Sequence, residues 1–260
     1  SDSGVGNRAN ETAFAAFTAK YGKTYASFAD REHRLRVFQQ NLELIEKHNS
    51  EGNSDYTLAV NQFADLTWDE FKNYYLSEMP LGSLKKDHCQ EDVSTGAFPD
   101  EKDWNKEGKV QRVKNQASCG SCWAFSAVGA IESALAIKNG ALPDLAEQEL
   151  VDCSGEYGNE GCGGGFMHWA FNYVLDHNIN DGKDYEYTAE DGNCRTDEIA
   201  KGKTEINGCV KAEASVHGLA EAISKSPVAV AFAVQNDFRF YKSGVYNPAS
   251  CPGQINHGVL

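Results

Sequence analysis

Apolar positions recur at helical spacing early in the chain, where Phe14, Phe17 and Tyr21 fall on one face and Gly22 is placed to end the helix. A second helix is predicted from Ser27. Ser27 and Asp30 have the spacing of a capping box, and Arg34, Phe38, Asn41, Ile45 and Asn49 then step by four, three, four and four residues along one face. A stripe of that kind must pack on something. Tyr56 to Val60 alternates as a short strand, and Thr67 with Glu70 suggests a cap before Phe71, Tyr75 and Leu76, so residues 12–76 read as a helical unit. From about Pro80 to Gly96 the composition turns polar and irregular, with Gly82, Ser83, Lys85, Lys86 and Asp87, which is the make-up of a linker accessible to proteases.

A second unit opens near Phe98. A long helix is predicted from about Ser121 to Gly140, with further helices at about 145–152, 166–177 and 216–225. Beyond these, Val228–Val234 is small and β-branched and Phe238–Tyr246 is aromatic-rich, and both read as strands. The pattern predicts an α+β protein: residues 1–97 as an N-terminal region (helical unit about 12–76, extended linker about 77–97), and residues 98–260 as a domain with a helical half (about 98–208) and a β half (about 209–260).

With 260 residues and 41% hydrophobic content, the chain can bury one large or two modest cores. The net charge of -14 disfavours a phosphate-binding surface, so no nucleic-acid partner is expected. No apolar run is long enough to span a bilayer, and the start SDSGVG lacks the regions of a signal peptide, so no membrane partner is expected either. Eight cysteines imply an oxidising route, through secretion or into an acidic organelle such as a lysosome or vacuole. The sequon Asn10-Glu11-Thr12 points the same way.

The stretch Cys119-Gly120-Ser121-Cys122-Trp123 admits three chemistries: a redox CxxC, half a zinc site, or a nucleophile at a helix start. The first wants a thioredoxin-like βαβ setting and the second wants a further CxxC or a His pair, and neither accompanies it. A cysteine in the first turn of the helix lies where free N–H groups and the helix dipole favour thiolate. Disulfide pairing alone suits Cys119 better than Cys122.

Gln116-Ala117-Ser118-Cys119-Gly120-Ser121-Cys122-Trp123-Ala124-Phe125 closely resembles the active-site stretch of the papain-like cysteine proteases, cathepsin L among them. Asn256-His257-Gly258-Val259 carries a histidine 135 residues after Cys122, within the family's spacing. The six other histidines, His33, His48, His88, His168, His177 and His217, lack that combination. The resemblance implies a papain-like two-lobed fold, with Cys122 as nucleophile, His257 as its acid–base partner and Gln116 as oxyanion donor. It implies no cofactor and no metal, protein and peptide substrates, and a monomer. Gly161-Cys162-Gly163-Gly164-Gly165 resembles the family's glycine loop, with Gly164 and Gly165 open to a substrate backbone. Phe166, Met167, Ala231 and Gly258 match its second specificity pocket, implying a hydrophobic residue two places before the cut. By the same resemblance Cys119 pairs with Cys162 and Cys153 with Cys194. Cys89 and Cys209 have no assigned counterpart, the usual partner of Cys251 lies farther along than residue 260, and a Cys209–Cys251 bridge is conceivable.

The helical unit resembles the family's inhibitory propeptide, through Arg34, Phe38, Asn41, Ile45 and Asn49 with Asp30 where Glu is usual, and through Ala59, Asn61, Phe63 and Asp65 with Ala59 in place of Gly. A latent endopeptidase proenzyme is expected, activated by acid as carboxylates such as Asp65 lose their charge; no insertion suggests an exopeptidase. The family's orienting Asn falls after residue 260, so the chain reads as truncated. The competing expectations are a catalytically inactive truncated homologue that inhibits related proteases, and a cysteine-rich structural module.

Overall fold

The computed structural model describes residues 3–77, 88–93, 96–199, 204–251 and 253–260, with side chains from residue 9 onward. In chain order its elements are α1 (Ser3–Tyr21), α2 (Phe28–Glu51), β1 (Tyr56–Leu58), α3 (Trp68–Tyr75), β2 (Gln90–Glu91), α4 (Cys122–Asn139), α5 (Glu147–Cys153), α6 (Met167–His177), α7 (Thr196–Ile199), β3 (Val210–Lys211), α8 (Val216–Lys225), β4 (Val230–Phe232), β5 (Tyr241–Gly244) and β6 (His257–Val259). Among the described residues the strands form pairs: β1 with β5 and β4 with β6 antiparallel, β2 with β3 parallel. No described helix is long and apolar enough to cross a membrane. The chain divides into two compact units, residues 1–73 with 234–253, and residues 74–233 with 254–260.

In the first unit, α2 begins where its cap demands: the Asp30 N–H donates to the Ser27 hydroxyl at 3.1 Å, and the Asp30 carboxylate accepts from the Ala26 N–H at 3.1 Å. The helix ends at Gly52, whose φ of 64° suits a residue without Cβ. Phe38, Asn41 and Ile45 are buried, and the polar members of the stripe satisfy the backbone of residues 58–66. Asn41 Nδ2 donates to the carbonyls of Ala64 and Leu66, and Asn49 bonds Leu58 at both its N–H and its C=O. Arg34 donates to the Asp65 carbonyl and, at 2.7 Å, to the Glu70 carboxylate. Thr67 and Glu70 form a reciprocal cap at α3, each accepting the other's N–H.

Phe14, Phe17 and Phe38 close the core with ring centroids 5.0–6.0 Å apart, and Phe240 is buried in the same cluster. Beside Phe240, the buried Arg239 guanidinium donates to the Leu66 carbonyl at 2.6 Å and to Asn41 Oδ1 at 2.9 Å. Burial lowers its pKa to about 10.

Several sequence expectations are corrected here. α1 starts at Ser3 rather than near residue 12, because apolar periodicity marks only the packed part of a helix, and the sequon at Asn10 lies within it. Phe238–Tyr246 is not one strand: Phe238–Phe240 form a 3-10 turn that inserts Phe240 into the core, and only Tyr241–Gly244 is extended. Of the expected linker, residues 78–87 and 94–95 lie outside the described residues, and Gln90–Glu91 pair as a strand instead of running irregularly.

The second unit is organised by α4, whose Trp123, Ala124, Ala127, Val128 and Ile131 are buried against Leu150 of α5 and Ala170 and Val174 of α6. It ends at Gly140, with φ 76°. Cys119–Cys162 and Cys153–Cys194 are disulfides. The third is Cys89–Cys209, not Cys209–Cys251; Cys251 is exposed and takes no part in a disulfide. Lys114 Nζ meets Glu132 at 2.8 Å, Glu147 at 2.6 Å and Asp144 at 2.7 Å, anchoring the segment that leads into Gln116.

Candidate active site

Cys122 is the first residue of α4. Its N-cap, Ser121, does not bond the helix through its side chain; its hydroxyl meets the Tyr187 hydroxyl at 2.7 Å instead. Tyr187 also donates to the Gln116 carbonyl at 2.7 Å, so one phenol ties together the two ends of the segment from Gln116 to Ser121. Within it, Ala117 takes a φ of 50°, an uncommon conformation for a residue with a side chain, held by the Asn115 side chain accepting its N–H at 2.9 Å.

β6 brings the second group. It pairs with β4 in the register Phe232↔His257, Ala231↔Gly258 and Val230↔Val259. Gly258 donates its N–H to Cys122 Sγ at 3.2 Å, and Val259 accepts from the Ser126 hydroxyl at 2.7 Å. The approach is close: a Cβ at 258 would stand 3.3 Å from Trp123 Cα and 3.4 Å from the Cys122 carbonyl, so a larger residue there would press on the helix start. His257 is the residue before this contact. Its Nδ1 is buried with no hydrogen-bond partner among the described residues, and its ring lies 6.0 Å from that of Phe232, edge to face.

The glycine loop is drawn to the same helix start. The Cys119–Cys162 disulfide and the Gly120 N–H on the Cys162 carbonyl at 3.0 Å hold one side, and Trp123 Nε1 donates to the Gly161 carbonyl at 3.1 Å. Asp191 accepts the Cys162 N–H at 2.7 Å, and Asn159 accepts the Phe166 N–H at 2.9 Å. Gly164 and Gly165 are buried beyond that turn. Phe166 and Ala231 pack against the core cluster that includes Met167. The structure therefore brings Cys122, His257, Gln116, the glycines and the four apolar-pocket residues into one region of one unit.

That region is covered. The Gln116 side-chain amide donates to the Tyr75 carbonyl at 3.1 Å and to the Cys119 carbonyl at 2.9 Å. Ser77 is buried, its hydroxyl 4.0 Å from Cys122 Sγ and its N–H on the Asn256 carbonyl at 3.3 Å. Burial pushes the Cys122 thiol pKa up, against the Gly258 and Ser77 hydrogen bonds, which act downward. Burial also lowers the His257 imidazole to about 4. In this covered state burial favours the neutral form of both groups.

Sequence reasoning missed Ser77, Tyr187, Asn159 and Asp191. None carries a motif of its own; Asn159 and Asp191 accept backbone N–H groups with side-chain oxygens, and Ser77 and Tyr187 act through hydroxyls that folding brings close.

Residues 98–260 match the papain family cysteine protease model, and residues 14–71 match the cathepsin propeptide inhibitor domain. The chain belongs to the papain family of cysteine proteases. Among its relatives are a pro-cathepsin H of Medicago truncatula, 41% identical over 98% of this chain and 74% of its own length, and a cathepsin L 2 of Paramecium tetraurelia, 43% identical over 95% and 77%. A solved structure of the digestive procathepsin L2 proteinase from Tenebrio molitor larval midgut superposes with a TM-score of 0.87 at 34% identity, covering 96% of this chain and 83% of that one. This papain-family chain is a procathepsin-like proenzyme that carries its inhibitory propeptide, and peptide bonds are what it hydrolyses.

Proposed function

We propose that Cys122 is the nucleophile, His257 its proton-transfer partner and Gln116 an oxyanion donor, in an endopeptidase that prefers a hydrophobic residue two places before the cut. The observation that carries this reading is the 3.2 Å bond from the Gly258 N–H to Cys122 Sγ, which puts the strand bearing His257 against the first turn of α4. Once the cover is removed, water and substrate dipoles replace the apolar surroundings, and the thiol can pass its proton to the imidazole. Each charge then favours the other.

The thiolate attacks the substrate carbonyl carbon, and the developing oxyanion is met by the Cys122 backbone N–H and the Gln116 amide. The His257 imidazolium gives its proton to the leaving amine, which departs and leaves a thioester on Cys122. His257, now neutral, takes a proton from water as that water attacks the thioester. The acid product leaves and the thiol–imidazole pair is restored.

On this reading residues 1–97 are the inhibitory region and residues 98–260 the peptidase, a division supported by the family matches over 14–71 and 98–260. The uncovered enzyme acts as a monomer, without nucleic acid, membrane or cofactor, in a lysosome, vacuole or secreted fluid. Three disulfides support an oxidising route.

The pocket assignment rests on Phe166, Met167, Ala231 and Gly258, all apolar. Kinetics on peptides that differ only two places before the cut test it: kcat/KM is expected to be at least about tenfold higher for Leu or Phe than for Arg. Preference for Arg would overturn the pocket assignment.

A further inference from the structure

Tyr187 holds a peptide group rather than a side chain. It is half-buried, its ring edge-on to that of Phe125 with centroids 4.9 Å apart, and its hydroxyl donates to the Gln116 carbonyl at 2.7 Å. A phenol has one proton to give, so at its second contact, also 2.7 Å, Ser121 donates and Tyr187 accepts. The other polar group of the same peptide is held as well: the Ala117 N–H donates to Asn115 Oδ1 at 2.9 Å. With its C=O and its N–H both engaged, the 116–117 peptide is gripped from two sides, and Ala117 keeps its φ of 50°.

That peptide sets the aim of the Gln116 amide. A side-chain amide nitrogen carries two protons. One goes to the Cys119 carbonyl at 2.9 Å, inside the same turn. The other goes to the Tyr75 carbonyl at 3.1 Å in the covered chain, and it is the one the proposed mechanism offers to the oxyanion. Released from its two partners, the peptide would let Ala117 relax toward an ordinary negative φ, as a residue with a Cβ prefers, and the turn that directs Nε2 would open.

The tyrosine is placed from α5. Buried Gln148 accepts the Thr188 N–H at 2.9 Å and donates to the Glu190 carbonyl at 2.8 Å, so one side chain grips the backbone just after Tyr187. A continuous hydrogen-bonded frame therefore joins the helical core to the turn that carries Gln116.

We infer that Tyr187 is a positioning residue for peptide hydrolysis: it holds the 116–117 peptide so that the free N–H of the Gln116 amide meets the oxyanion. Its hydroxyl keeps its proton throughout and makes or breaks no bond in the reaction. The inference rests on the reading of Gln116 as oxyanion donor and adds the group that aims it.

The test uses the full-length chain uncovered by limited proteolysis with an aspartic protease that is then inhibited. Turnover of one peptide amide is compared with alkylation of Cys122 by iodoacetamide, a reaction that needs the thiolate but develops no oxyanion. Tyr187→Phe is expected to lower kcat about tenfold while KM and the alkylation rate stay within about twofold. In a Gln116→Ala background the added Tyr187→Phe is expected to lower kcat by less than about twofold, because the donor it aims is gone.

Should Tyr187→Phe fail to fold, Asn115→Ala, which frees the other side of the same peptide, takes its place with the same pattern expected. Equal losses of kcat in both backgrounds, or alkylation that slows in step with kcat, overturn the inference and leave Tyr187 a support of the fold. An unchanged kcat in Gln116→Ala itself contradicts the oxyanion-donor reading instead, and with it the basis of the inference.

Discussion

The side-chain amide of Gln116 donates to the main-chain carbonyl of Tyr75, 3.1 Å away. A substrate oxyanion in the proposed mechanism would take that same amide, so the Tyr75–Ser77 segment occupies the donor and also meets the sulfur. The occupying group is a main-chain carbonyl, and the Ser77 hydroxyl from the same segment lies 4.0 Å from Cys122 Sγ.

Gln116 therefore has two roles with separable readouts. In the uncovered enzyme, Gln116→Ala is expected to lower kcat by about 10²–10³-fold with little change in KM, since the donor acts on charge that develops only in the transition state. In the latent chain the same substitution removes one tie to Tyr75, and hydrogen exchange of the Tyr75–Ser77 amides is expected to rise. Single-turnover and exchange measurements on the same variant check both.

Acid should loosen the cover through His257. Its pKa in the covered state, about 4, lies below the ordinary value of 6.5. A covered state that binds fewer protons than the uncovered one loses stability as pH falls, starting near 6.5 and ending near 4. Over that window the loss amounts to about 3 kcal/mol at most. In a Cys122→Ser background, exchange at Tyr75–Ser77, corrected for intrinsic rates, is expected to climb across the window. Added His257→Gln should flatten the climb; an unchanged profile would assign acid sensitivity elsewhere.

Glu70 predicts a second, lower transition, in the first unit. Desolvation of its carboxyl acts upward, but hydrogen bonds from Arg34 and from the Thr67 N–H outweigh it, and the net pKa is below the ordinary value. Its stabilisation is present above the unfolded-chain value of about 4.3 and is lost as pH falls through the lower folded value. Glu70→Gln should lower the melting temperature of that unit at pH 7, and the difference from wild type should shrink as pH falls below the ordinary carboxylate range. Melts of both chains at several pH values decide it.

Much of this architecture is written in local chemistry. Gly140 and Gly52 stop their helices, Ser27 caps α2, and α8 covers Val216–Lys225 as its pattern predicts. Those signals need only a few neighbouring residues. Pairings between distant residues leave no such trace: nothing in the sequence near Cys89 names Cys209, and Arg239 sits in an aromatic run that reads as a strand until its guanidinium is seen bonding Leu66 and Asn41. At the site, the spacing of Cys122 and His257 is legible, whereas the cover works through the Tyr75 backbone, which every residue type shares.

Lys114 tests how the Gln116 segment is held. Burial alone would push its ammonium pKa down, but Glu147, Asp144 and Glu132 raise it overall. Lys114→Met leaves Glu132 and Glu147 buried without a cation, a loss of about 3–5 kcal/mol. Denaturant unfolding should show that loss in the second unit, and Lys114→Arg is expected to recover part of it.

The most direct measurement is active-site labelling. A peptidyl epoxide is added to the chain before and after proteolytic removal of the inhibitory region, and the modified residue is mapped and timed. One equivalent on Cys122 is predicted, rapid only after removal, with Cys251 unmodified and the rate down at least about 100-fold in His257→Ala. Label on Cys251, or labelling of Cys122 at an equal rate with and without His257, would contradict the account.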